Sequence, residues 1–149
     1  MAAVLLIAHA PLASALLSVA GHCYAEKGHL FEAIDVDPGM SAEAVEALAR
    51  AALARLDAPE VLVLTDVFGA TPCNVAQRLS DGVSVRVVAG VNVPMLWRSL
   101  CYLGEPLEAL VARALSGASQ GVMQVGQTRP QNQVQTPLSN DSNHSRHQQ

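Results

Sequence analysis

Residues 3 to 8, "AVLLIA", carry no polar side chain, so a strand built from them offers water neither face. The run "EVLVLTD", residues 60 to 66, is likewise apolar on both faces through its middle. A half-exposed strand alternates apolar with polar, and these two do not. Both must be covered from two sides, and the intervening sequence supplies the cover. "PLASALLSVAGHCYAEKG" reads as a helix from Pro11 to near Gly28, and "LFEAIDV", 30 to 36, as a second strand. Ser41 then caps "AEAVEALARAALARL", with Glu43 and Glu46 early and Arg50 and Arg55 late, as the helix dipole favours. Beyond the third strand lie the loop "FGATP", a short helix "CNVAQRLSD" and a fourth strand, "VSVRVVAG", 83 to 90. Two helices follow, "NVPMLWRSLCYL" and "PLEALVARALSGAS", and "GVMQV", 121 to 125, is a candidate last strand. Apolar strands joined by helical crossovers predict an α/β fold: an open, mainly parallel sheet with helices on both faces.

Length and composition fit that fold. The chain has 149 residues, enough for one domain. Half of them are hydrophobic but only 3 % are aromatic, so Ala, Val and Leu must build the core. A net charge of −4 gives no global basic field for nucleic acid or anionic lipid. Cys23, Cys73 and Cys101 match neither a zinc spacing nor a redox pair, which points to a reducing cytoplasm. The N-terminal apolar run has no preceding Lys or Arg and is cut by His9 and Pro11, so it does not read as a signal peptide. No stretch reaches the roughly 18 uninterrupted apolar residues of a membrane span. From Gln127 the chain turns rich in Gln, Asn and Ser, which predicts a disordered polar tail over 128–149 behind a folded domain of 1–127. His144 and His147 in that tail read as solvated rather than as metal ligands.

In open parallel sheets, ligands bind beyond the carboxyl ends of the strands, at the point where the strand order reverses. His9, Asp66 and the turn "AGVN", 89 to 92, all follow strand ends and should meet at one edge. His9 alone suits a strand-end histidine satisfied by a carbonyl, and Asp66 alone suits a cap for its loop. Taken together they read as an activated histidine, because a carboxylate on one ring nitrogen leaves the other as a nucleophile. Pro11 fits the first turn of a helix, which leaves the amides of Leu12 and Ala13 for an anion. Thr71 precedes Pro72 and fits an N-cap, giving a second anion-binding edge. There is no Walker lysine, no GxGxxG, no GxSxG elbow and no cluster with metal spacing, so no cofactor or metal is expected.

These residues carry a resemblance. "LLIAHAPLASALL", "VLVLTDVFGATPCNVAQRL" and "VVAGVNVPML" resemble, in order, three blocks of the mannose-family IIA component of the bacterial phosphotransferase system. The likeness spans about residues 3 to 127. It implies a cytoplasmic phosphotransferase that carries a phosphoryl group on His9, with Asp66 as its partner and Thr71 near the phosphoryl group. It implies Nε2 as the phosphorylated atom, an HPr-like donor and a IIB acceptor, in sugar uptake or its regulation. It also implies a homodimer whose antiparallel last strand, here "GVMQV", crosses to the partner's sheet. Many members have glycine after the histidine, where this chain has Ala10, a less permissive residue at positive φ. No IIB or membrane domain is expected in this chain, and the sugar is not legible. The competing expectation is a non-catalytic regulatory or small-ligand module in which His9 only binds.

Other residues have plainer expectations. His22 and His29 suit a helix end; Asp35 and Asp37 flank the end of the second strand, where they suit turn capping but could approach the site; Cys73 suits packing, as does Trp97, with a partner-protein contact as its alternative. Met40 and Met95 are candidates for an exposed docking surface.

Overall fold

The computed structural model describes residues 1–126. Its strands are β1 (Ala3–His9), β2 (Phe31–Val36), β3 (Val61–Thr65) and β4 (Val85–Ala89). Its α-helices are α1 (Leu12–Tyr24), α2 (Ala42–Leu56), α3 (Thr71–Leu79), α4 (Val93–Cys101) and α5 (Leu107–Gln120). The four strands form one parallel sheet in the order β2-β1-β3-β4. The two runs with no polar face become its centre: Val4, Leu5, Ile7, Leu62, Val63 and Leu64 have no exposed surface. Each such side chain contributes about 1.5–3 kcal/mol by leaving water.

The chain steps from β1 outward to β2, then back past β1 to β3 and on to β4. Right-handed crossovers therefore put α1 on one face and α2 and α3 on the other. The packing agrees, since α1 lies against α4 and α4 against α5, while α2 lies against α3. The reversal falls between β1 and β3, the strands that end in His9 and lead into Asp66. The α4–α5 contact is close enough to require glycine: a Cβ on Gly117 would stand 2.6 Å from Arg98 Cβ, and one on Gly121 would strike the Pro94 ring.

Several boundaries differ from the sequence reading. The first helix stops at Tyr24, and Ala25–Leu30 forms a 3-10 helix that takes Leu30 from the expected second strand. The fourth strand starts at Val85 because the Asp81 carboxylate accepts the amides of Val83, Ser84 and Val85, holding residues 83 and 84 in a turn. The same donors, with the Ser84 hydroxyl, hold the Asp81 carboxyl well below the usual carboxylate range. Residues 121–125 form no strand in the single chain, and Val122, Met123 and Val125 stand exposed. The tail expected over 128–149 lies outside the described residues.

Candidate functional site

His9 is the last residue of β1, and Asp66 is the first residue after β3. Neighbouring strands thus bring residues 57 positions apart into contact. Asp66 Oδ2 accepts the His9 amide at 2.9 Å and lies 2.7 Å from His9 Nδ1. Its other oxygen, Oδ1, accepts the Val67 amide at 2.9 Å. A carboxylate only accepts, so in the neutral imidazole the shared proton sits on Nδ1 and Nε2 carries the lone pair. The His9 side chain is 52 % exposed against 14 % for Asp66, so the more buried partner holds the ring and the ring faces solvent. Burial works against charge on Asp66, but the amide and ring of His9 and the amide of Val67 outweigh it and keep its carboxyl below its usual value.

The turn after β4 is fastened to the same place. Gly90 donates to the Asp66 carbonyl and Val91 to the Thr65 carbonyl, each at 3.0 Å. Gly90 does so at φ +90, and Gly69, in the loop after Asp66, sits at φ +93; both conformations suit glycine. Asn92 then caps α4, accepting the Met95 amide at 2.8 Å, and donates to the Ala118 carbonyl on α5. The expected convergence of His9, Asp66 and "AGVN" is thus seen.

Two helices begin at this edge, and both expectations about their caps need correction. Pro11 is not the first helical residue but the N-cap of α1, at φ −103 and ψ 30, because the chain is still leaving the ladder there: Ala10 donates to Val36 of β2. The Ala10–Pro11 peptide is cis. The amides of Leu12 and Ala13 have no acceptor among the described residues, as expected. The third amide, that of Ser14, is taken by Asp35 Oδ1 at 2.9 Å. At α3 the N-cap is Ala70, Thr71 is the first helical residue and Pro72 the second. Thr71 therefore cannot cap, since a capping side chain must stand outside the helix to reach back to its amides. Its hydroxyl has no hydrogen-bond partner among the described residues, the His9–Asp66 pair included.

The remaining candidates separate cleanly. Asp35, expected to cap a turn, instead binds the start of α1; the signal was a helix whose own sequence offers no cap and no acid in its first turn. Asp37 does sit in a turn, its amide meeting Met40 Sδ at 3.4 Å. Met95 is buried, so it is not part of a docking surface, whereas Met40 is half-buried. Cys73 is buried, Trp97 is partly exposed, and His22 and His29 are exposed. Among the described residues no helix is long and apolar enough to cross a membrane.

The family model described as PTS system fructose IIA component, EIIA-man, matches residues 3–115. No curated protein matches the chain. Among solved structures, phosphotransferase system component EIIA from Streptococcus agalactiae is 26 % identical with a TM-score of 0.71, over 83 % of this chain and 97 % of that one. The PTS IIA protein associated with the fucose utilization operon from Streptococcus pneumoniae is also 26 % identical, with a TM-score of 0.69 over 83 % and 92 %. The mannose/sorbose specific IIA subunit from Enterococcus faecalis shares the fold at a TM-score of 0.76 and 24 % identity, over 86 % and 97 %. With its family model matched over most of its length, the chain belongs to the PTS system fructose IIA component family, proteins of the sugar phosphotransferase system.

Proposed function

We infer that the protein is a phosphohistidine carrier: His9 Nε2 takes a phosphoryl group from an HPr-like protein and yields it to a IIB component. The observation that carries this reading is the 2.7 Å contact between Asp66 and Nδ1 of a ring whose side chain is half exposed. The Nε2 lone pair forms the new N–P bond as the donor's N–P bond breaks, and the donor ring keeps that electron pair. Positive charge builds on the His9 imidazole, and Asp66 offsets it. Phosphoryl transfer asks little else of a protein than positioning and charge stabilisation. The open amides at the start of α1 and α3, with the Thr71 hydroxyl, supply donors for the phosphoryl oxygens.

The test is incubation with enzyme I, HPr and labelled phosphoenolpyruvate. Wild-type protein takes up label that is lost in acid and survives alkali, as phosphohistidine does. His9→Gln takes up none and keeps its circular dichroism spectrum. Label on His9→Gln, or an acid-stable label, moves the site to another residue.

The same reading takes residues 1–127 as the working domain, in the cytoplasm, and as a homodimer. Val122, Met123 and Val125 are 74 %, 68 % and 89 % exposed after α5, an arrangement that suits a strand completed on a partner's sheet. Met123→Pro removes a ladder donor and should shift the protein from dimer to monomer in light scattering at micromolar concentration. A wild-type monomer under those conditions would count against the exchange.

A further inference from the structure

β1 has a carboxylate on each side of its end. Asp66 follows β3 and holds His9, while Asp35, in β2, stands beside Ala8 in the ladder, one position before the His9–Val36 pair. Asp35 makes no hydrogen bond to His9. It uses both oxygens on one residue of α1: Oδ1 accepts the Ser14 amide at 2.9 Å, and Oδ2 accepts the Ser14 hydroxyl at 2.5 Å. Ser14 is the third residue of α1, and Pro11 at the cap has no side-chain oxygen to serve that turn. The cap thus comes from a neighbouring strand rather than from the helix's own sequence. The segment 9–14 is clamped at both ends, by Asp66 at His9 and by Asp35 at Ser14.

Resting on the phosphohistidine reading above, we propose that Asp35 is a positioning residue that also limits how firmly His9 holds its phosphoryl group. The positioning part follows from the clamp, since the two bonds to Ser14 fix the turn that presents the Leu12 and Ala13 amides. The limiting part follows from charge. A helix N-terminus favours anions, and at α1 a carboxylate already occupies it. A phosphoryl dianion arriving on His9 meets the open amides and, beside them, a seated negative charge. A carrier must give its cargo up again, and an uncompensated helix end would favour the phosphorylated form over the free one. Asp35 removes part of that preference.

Asparagine separates the two roles. In Asp35→Asn the carboxamide oxygen still accepts the Ser14 amide, and its NH2 can donate to Ser14 Oγ, so the clamp stays while the charge goes. Mixing with phosphorylated HPr reads out both the equilibrium between the carriers and the rate of acceptance. Asp35→Asn should raise the equilibrium constant for phosphorylation about two- to fivefold, with a near-normal rate of acceptance. Asp35→Ala loses the clamp as well and should accept about tenfold more slowly, with Asp35→Asn as the rescuing comparison. A purely structural Asp35 would change melting without moving the equilibrium constant. An unchanged or lowered constant in Asp35→Asn overturns the limiting role, and normal acceptance by a folded Asp35→Ala overturns the positioning role. Should Asp35→Ala not fold, slow acceptance by Asp35→Asn would overturn the clamp as described. Wild-type protein that takes no label overturns the phosphohistidine reading itself. Labelled wild type with indifferent variants overturns only the inference about Asp35.

Discussion

Two strand-to-helix junctions meet at the carboxyl edge of the sheet, and they are finished differently. At β1–α1 the helix opens behind Pro11, and its third amide is satisfied by Asp35 from another strand. At β3–α3 the helix opens behind Ala70 with no side-chain cap, and the Thr71 hydroxyl stands in its first turn without a partner among the described residues. Both junctions sit beside a proline, and both helices offer amides to the same edge. A helix end left without protein partners is a place for water or a ligand. The difference suggests a division of labour: the α1 junction holds the histidine and already carries an anion, while the α3 junction is left open for one.

The comparison breaks most readily at Asp66, which ties the two junctions together through two hydrogen bonds to His9 and is itself held by the Val67 amide. Asp66→Ala should slow acceptance from phosphorylated HPr by on the order of 10²-fold, the usual worth of a partner that manages proton and charge. Stopped-flow or quench kinetics would measure it. Acceptance at the wild-type rate would mean that the bond to Nδ1 does not matter to transfer. The next largest effect belongs to α3. Thr71→Ala should slow acceptance about tenfold, the loss of one hydrogen bond to a charged group, and Thr71→Ser should restore it. If Thr71→Ala and Thr71→Ser behave alike, the methyl and not the hydroxyl is what α3 contributes.

How much of this was legible in the sequence depends on the range of the contact. Fully apolar strands such as "AVLLIA" admit only a doubly covered sheet, and that sheet dictates that strand ends share an edge. His9 and Asp66 could be paired from that alone, across 57 residues. What failed was local finish set from a distance. Pro11 lies outside the helix because Ala10 still bonds β2. Thr71 lies inside the helix, one residue later than a cap would stand. Asp35 looked like a turn residue because nothing near it in sequence needs it; the helix that does need it starts 23 positions earlier, at Leu12. Met95 lies on the face of α4 that turns inward, and a short helix alone does not say which of its faces that is. "GVMQV" has the composition of a strand, and among the described residues it pairs with none.

The smallest effect tests whether α1 is also held at its far end, away from the site. Tyr24 closes α1, and its hydroxyl lies 2.8 Å from Cys101 Sγ at the end of α4. Lys27 just beyond donates to the Leu100 carbonyl at 3.0 Å. The bond to Cys101, then burial, then the neighbouring acidic groups push the Tyr24 phenol up from 10.0 to about 12. A raised phenol favours the protonated form in the folded state. The stability it lends is therefore whole below pH 10 and is lost as pH climbs from 10 toward 12, because the unfolded chain releases its proton first. In a Tyr102→Phe background the phenolate absorbance should report Tyr24 alone, half-ionised near pH 12. Adding Cys101→Ala should draw that midpoint back toward 10 and advance the alkaline loss of stability, with phosphoryl acceptance at neutral pH unaltered. A Tyr24 that titrates at its ordinary value before Cys101 is touched would show that the bond to Cys101 does not fasten the far end of α1. The contrast between the junctions would then rest on Asp35 and Asp66, with no contribution from the Tyr24–Cys101 bond.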